Sequence, residues 1–294
     1  MPPPAASRPS PDAHALEAPW GPLPLPEDEI VPRRIGPREL WFQARDGEIW
    51  IAHADAVSPD EARSGGPWTE PPAPEPPDEV EWFRWATPAG ESELFLRPAL
   101  PDRTLVLESE RTFRLLTRAE ARVYVRVPLW IRVELPIGQT GGQTGGQTGA
   151  PLLLEEVPTL AMSDTWWGGF MDGELAYWLP TTARREMLPE LHHPHLAVCP
   201  LLLSNRSGSD LAVEKLALRA PHLSLFSHRQ NLWADEARVT YQGLAEGSQI
   251  EVGGRSPEEA PGALLVTPPR TPSQKSFRAR TFDRLRALPG VMGG

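Results

Sequence analysis

Cysteine is almost missing from this chain: Cys199 stands alone among 294 residues. A single thiol cannot close an intramolecular disulfide. A disulfide-stapled secreted scaffold is therefore excluded, and a reducing, cytoplasmic setting is expected. Lysine is nearly as scarce, found only at 215 and 275, while arginine is common; this is a compositional bias rather than a mechanism. Long hydrophobic runs are missing too. The longest nearly apolar stretch, 196–203, is far shorter than a bilayer requires and contains Pro200, so no transmembrane segment is expected. No apolar core follows a basic start at the N-terminus, so no signal peptide is expected. Positive charge is outweighed, with 29 Lys and Arg against 39 Asp and Glu and a net charge of -10. An acidic chain repels phosphate backbones, which argues against nucleic acid as a partner. The Gly-x-Ser-x-Gly elbow, the Gly-x-x-x-x-Gly-Lys phosphate loop and the His-Glu-x-x-His zinc motif are all absent, and no cofactor is expected.

What the chain does have is proline, tryptophan and alternation. Of 36 prolines, eleven fall within the first 37 residues and seven lie between Pro59 and Pro77. An interior proline costs a helix about 3 kcal/mol, so the chain cannot be mostly helical. Eleven Trp and eight Phe supply apolar surface for a real core. From Val123 to Leu135 the sequence alternates without a break: Val123, Val125, Val127, Leu129, Ile131, Val133 and Leu135 point one way, and Tyr124, Arg126, Pro128, Trp130, Arg132 and Glu134 the other. Period 2 over this length is a β-strand with a buried face. Pro128 lacks an N–H and belongs at an edge or a bulge. The segment Leu40–Ile51 reads as a hairpin around Asp46-Gly47, a pair suited to a type I′ turn. The register then sets Arg45 opposite Glu48, Ala44 opposite Ile49, Gln43 opposite Trp50 and Phe42 opposite Ile51.

These patterns predict an all-β protein of two packed antiparallel β-sandwich-like domains with a short C-terminal helix. Residues 1–37 read as a Pro-rich, disordered tail. Residues 38–137 form an N-terminal β domain with a Pro-rich insert at 59–77. A Gly-Gln-Thr repeat at 138–150 is a flexible loop, and 151–268 is a second β-sandwich-like domain. The basic tail 269–294 carries the helix, with Phe282, Leu285 and Leu288 on one side and Pro289 ending it.

The densest chemistry lies in Ser163–Trp178. Asp164, Asp172 and Glu174 sit among Trp166, Trp167, Tyr177 and Trp178, with Arg184 a short step beyond. Paired carboxylates beside aromatic rings can bind sugars or perform acid–base work. The plainer alternative is a hairpin whose tryptophans pack in the core and whose Asp and Gly build turns. His192, His193 and His195 are weak metal candidates. Pro194 keeps the backbone extended, so neighbouring imidazoles diverge, and no second ligand pair stands at zinc spacing. Cys199 lies in an apolar run, where a buried, inert thiol is usual. From Arg270 onward the chain turns basic, which suits either an anionic surface or the protein's own acidic body.

Three stretches resemble the domain of unknown function 432 family, a set of uncharacterised archaeal and bacterial proteins. They are Val123–Val133, Asp164-Thr-Trp-Trp-Gly-Gly with Gly173-Glu-Leu-Ala-Tyr177, and the strand–turn–strand around Asn205. The resemblance covers about Gly36 to Val252 and implies no activity and no functional residue. Three functions compete on the sequence. The first is a non-catalytic cytoplasmic protein that binds or scaffolds an unknown protein or ligand. The second is a carbohydrate binder or hydrolase using Asp164, Glu174 and the nearby Trp side chains. The third is a peripheral membrane protein docking through its basic C-terminus.

Overall fold

A computed structural model describes residues 16, 18–57, 71–87, 93–136, 150–181, 184–187, 192–243, 247–271, 276–279 and 282–283. The elements in chain order are β1 (Gly21–Pro24), β2 (Ile30–Ile35), β3 (Arg38–Arg45), β4 (Glu48–Asp55), β5 (Trp82–Ala86), β6 (Glu93–Ala99), β7 (Leu105–Leu115), β8 (Glu120–Pro128), β9 (Trp130–Leu135), β10 (Leu152–Pro158), β11 (Ser163–Trp167) and β12 (Glu174–Thr181). They continue with β13 (Leu196–Asn205), β14 (Leu211–Leu218), a 3₁₀ turn (Ala220–His222), β15 (Leu225–His228), β16 (Asn231–Ala234), β17 (Ala237–Gly243), β18 (Gly247–Val252), β19 (Leu264–Thr267), β20 (Ser276–Ala279) and β21 (Phe282–Asp283). The all-β class is as the alternation predicts.

The strands form four sheets: β1-β6-β9-β10, β2-β3-β4-β5, β11-β12-β7-β14-β21, and an eight-stranded sheet ordered β19-β15-β16-β13-β17-β18-β20 with β8 on β13. Most pairings are antiparallel, but β12 runs parallel to β7, and β13 runs parallel to both β16 and β17. Strands from before and after the Gly-Gln-Thr repeat share three of these sheets, so 138–150 does not divide the sheets into two sets. One hydrophobic cluster draws on all four, through Leu23 and Ile131, Phe42 and Ile51, Leu107 and Leu216, and Val125 and Leu201.

In the alternating run 123–135 every odd-numbered residue is buried as predicted, but the even-numbered face is not left in solvent: Tyr124, Pro128, Trp130 and Glu134 are buried as well, and only Arg126 and Arg132 are half-buried. It is two strands rather than one. At Leu129 the chain leaves β8, paired with β13, and enters β9, paired with β6 and β10. Pro128 closes β8 at this change of sheet. Pro200 obeys the same rule inside β13. Towards β16 the strand pairs only at Ala197 and Val198, and towards β17 only from Leu201 onward. The missing N–H falls in the gap between the two neighbours.

The β3–β4 hairpin has the expected register, Arg45 opposite Glu48 through Phe42 opposite Ile51. Asp46 and Gly47 take φ of 52° and 75°, both in the left-handed region a type I′ turn needs. The side chains choose other partners than the register suggests. Glu48 holds the Arg84 guanidinium at 2.8 Å, and Arg45 turns to Asp46 at 3.3 Å.

Two expectations are corrected. Residues 18–37 are not a disordered tail: β1 and β2 are strands, and Trp20, Leu23, Leu25 and Ile35 are buried in the core. Pro22 and Pro24 are exposed and alternate with buried Gly21 and Leu23 on a strand at a sheet edge, where proline withholds no needed donor. Where the C-terminal helix is expected, the described residues 276–279 and 282–283 are strands instead, β20 on β18 and β21 on β14. Pairing with strands already in place outweighs a weak amphipathic pattern. Lys275, Arg280, Arg284, Leu285, Arg286, Leu288 and Pro289 lie outside the described residues, as do most of the Pro-rich insert and the repeat.

Candidate functional site

The β11–β12 hairpin was the sequence's main candidate. Its register sets Asp164 opposite Tyr177, Trp166 opposite Leu175 and Trp167 opposite Glu174. Because side chains alternate along a strand, Asp164, Trp166 and Tyr177 share one face of the ribbon, and Trp167, Glu174 and Trp178 the other. The structure thus puts the two candidate carboxylates on opposite faces. Asp164 accepts a bond from Arg103 at 3.1 Å. Glu174 accepts one from the Thr104 hydroxyl at 3.1 Å and pairs with Arg219, which also donates to Thr104 at 3.0 Å. Asp172 is exposed in the turn. Arg184 bridges Tyr124 through its backbone on a different sheet, and among the described residues no hydrogen bond or ion pair links it to Asp164, Asp172 or Glu174.

The aromatic residues divide in the same way. Trp167 is buried with Val106, Ala176 and Ala217. Trp178 donates to Glu108 at 2.6 Å, and Glu108 also faces Lys215 at 3.6 Å. Tyr177 donates to Asp102 at 2.9 Å beneath the Arg103 guanidinium, and burial, followed by Asp102, pushes its phenol up to about 12. Trp166 folds its indole over the turn and donates to Gly169 at 3.0 Å. Phe170 and Met171, at the tip, are about nine-tenths exposed (91 % and 90 %).

The histidines lie elsewhere, and His192 and His193 line a groove of about 690 Å³. One wall is the segment that leads into β13. Here His192 sets its ring edge-on to Trp233 at 5.1 Å, and the rings of His193 and His195 are 5.7 Å apart. His195 is not part of the lining: it is buried, its Nδ1 has no partner among the described residues, and Gly36 packs so closely on its ring that a methyl group there would collide with it. Burial, helped by His193 and Arg126, holds the His195 imidazole down at about 3, and burial also lowers His192. Among the described residues no three His, Cys, Asp or Glu side chains converge as a metal site.

The opposite wall is the β15–β16 hairpin, which supplies Ser227, Arg229, Gln230, Asn231 and Leu232; Leu16, Ala18, Trp20 and Leu264 complete the lining. Arg229 and Gln230 are the two central residues of the turn, at φ of 48° and 69°. Asp235 clamps the base of this hairpin. It is fully buried and accepts a bond from the Ser224 N–H at 3.0 Å, and its second oxygen has no partner. Burial pushes its carboxyl up to about 6. Cys199 is buried, with its sulfur 3.6 Å from the Asp235 carbonyl, and burial raises its thiol strongly, so it is inert as a nucleophile.

Sequence reasoning found His192 and His193 but missed Arg229, Gln230, Asn231 and Trp20. No turn signal marks Arg229-Gln230, which lacks Gly, Asn or Asp. Trp20 sits in a Pro-rich stretch with no run of alternation long enough to read.

No helix among the described residues is long and apolar enough to cross a membrane. No curated protein and no solved structure matches the chain. A family model described as Protein of unknown function (DUF432) matches residues 19–286, taking in every strand from β1 to β21. The chain therefore belongs to the DUF432 family.

Proposed function

We propose that this is a non-catalytic binding protein of a prokaryotic cytoplasm, with its ligand seat in the groove between the β15–β16 hairpin and the His192–Pro194 segment. The observation that carries this reading is the convergence of six polar or charged side chains with Leu16, Trp20, Leu232 and Leu264 on one open concavity, where polar groups can fix a ligand's orientation and apolar ones supply contact. The carboxylate hairpin favours catalysis less. Asp164 and Glu174 face apart, and each is taken up by an arginine, whereas paired acid–base catalysis needs two carboxyls flanking one bond. The cytoplasmic placement is supported by the single buried thiol. Docking through the basic C-terminus loses one of its charges, because Arg270 is bound by Glu156 and the Leu100 carbonyl.

The test is ligand-observed NMR of the full chain against a mixed fragment set, with Ser227→Trp as the variant that fills the groove. The reading expects hits that vanish in the variant and are recovered chemically unchanged after long incubation. Turnover of any fragment, or hits that survive Ser227→Trp, would overturn it.

A further inference from the structure

Among the described residues the groove's lining carries one formal charge, that of Arg229. Its rim carries Arg229, His192 and His193 together with the amides of Gln230 and Asn231 and the Ser227 hydroxyl, and among the described residues no aspartate or glutamate lines it. That runs against the whole molecule, whose net charge is -10. All six rim residues can donate a hydrogen bond.

Arg229 and Gln230 hold the turn at the groove's rim with left-handed backbone, at φ of 48° and 69°, as Asp46-Gly47 does in the β3–β4 hairpin and as Arg118 does, at φ of 60°, between β7 and β8.

The rest of the lining is apolar. Trp20 is almost wholly buried and its indole N–H is engaged by the Pro194 carbonyl at 2.9 Å, so that N–H is not offered to a ligand. Leu16, Leu232 and Leu264 line the groove with it.

We infer that the groove takes a small amphiphilic anion, with an oxyanion head (phosphate or carboxylate) on the Arg229, His192 and His193 rim and a short apolar body against Trp20, Leu232 and Leu264. This rests on the groove being the ligand seat. Arginine offers a planar fork that matches an oxyanion. Burial holds His192 neutral near pH 7, where its ring still donates one N–H. A head charge opposite to the rim selects the ligand, and the apolar wall supplies contact area.

The experiment is isothermal titration of the full chain with hexyl phosphate, hexanoate, hexanol, hexylamine and inorganic phosphate. Hexyl phosphate or hexanoate should bind at least about tenfold more tightly than hexanol, hexylamine or inorganic phosphate. Arg229→Asn removes the charge and tolerates the turn. It should weaken the anion by about tenfold while raising Tm. Arg229→Lys should retain most of the affinity. Co-sedimentation with phosphatidylcholine vesicles doped with phosphatidic acid, lost in Arg229→Asn, assigns the head to a lipid; affinity for hexyl phosphate without sedimentation assigns it to a free metabolite. Hexanol or hexylamine binding as well as the anions, in a manner abolished by Ser227→Trp, overturns the anion inference and leaves the groove a ligand seat. No binding by any probe overturns both.

Discussion

In the β11–β12 hairpin the polar side chains are occupied within the protein. Asp164 has Arg103, Glu174 has Thr104 and Arg219, Tyr177 has Asp102, and Trp178 has Glu108. In the β15–β16 hairpin Ser227, Arg229, Gln230 and Asn231 border an open groove, and the turn that carries two of them has left-handed backbone. The first hairpin is richer in the residue types that signal catalysis, and the second in geometry that leaves groups available. Residue type marks what a side chain can do; availability depends on whether the fold has already paired it.

The comparison treats β11–β12 as a brace and β15–β16 as a binding wall, and it can be broken at several points. The largest effect belongs to Trp167→Ala, which empties a buried site among Val106, Ala176 and Ala217 and should cost about 3–5 kcal/mol by chemical denaturation. Trp166→Ala, half-exposed in the same strand, should cost far less. Loss of groove binding in Trp167→Ala below its melting transition would show that the brace and the wall are not separate.

Next comes the pH response of the groove's supports. The Asp235 carboxyl, raised by burial to about 6, binds a proton in the folded state that the unfolded chain releases near 3.8. Stability is thus lost as pH rises from about 4 to about 6, by roughly 3 kcal/mol. His195, lowered by burial from 6.5 to about 3, has the opposite sign: its contribution is present above 6.5 and is lost as pH falls towards 3. The two slopes oppose one another between about pH 4 and pH 6. Asp235→Asn should therefore raise stability at pH 7 and uncover a steeper fall below pH 6 in urea titrations. An unchanged pH profile would mean that Asp235 titrates in the fold as it does in the unfolded chain.

Gly173→Ala drives a methyl group into the Trp166 ring and the Gly169 carbonyl. It should destabilise by about 1–3 kcal/mol, again without touching groove affinity. Arg229→Asn should move the other way, stabilising by about 1 kcal/mol as the left-handed strain is relieved. A fall in Tm would show that Arg229 serves the fold. The smallest effect is expected from Asp164→Asn, whose ion pair with Arg103 is largely exposed. It should change stability by less than about 1 kcal/mol and leave fragment binding intact. A loss of binding there would return the carboxylate hairpin to the functional site.

Legibility followed the range of the interactions involved. The β3–β4 register was readable because Asp46-Gly47 and the alternation around it act over neighbouring residues. The buried set from Val123 to Leu135 was readable for the same reason. The break at Leu129 was not, because it exists only to pass the chain from β13 to β6 and β10, partners distant in sequence. Order in 18–37 was hidden by proline, whose fitness for β1 depends on that strand lying at a sheet edge. The basic end was misread as helix because β18 and β14 offer open edges that no local pattern announces. His192 and His193 stood out by type, whereas Arg229 and Trp20 became site residues only when the groove closed around them.

The order of side chains along the chain was enough to determine an all-β protein, the position of its one well-marked turn and which aliphatics face inward. Those properties arise from backbone sterics and a two-residue repeat, which need no distant partner. Tertiary structure decided which strands meet, which charges are consumed and where a cavity is left. Each of these depends on pairing between segments far apart in sequence, and such pairing fixes whether a given aspartate, arginine or histidine is a strut or an available hand.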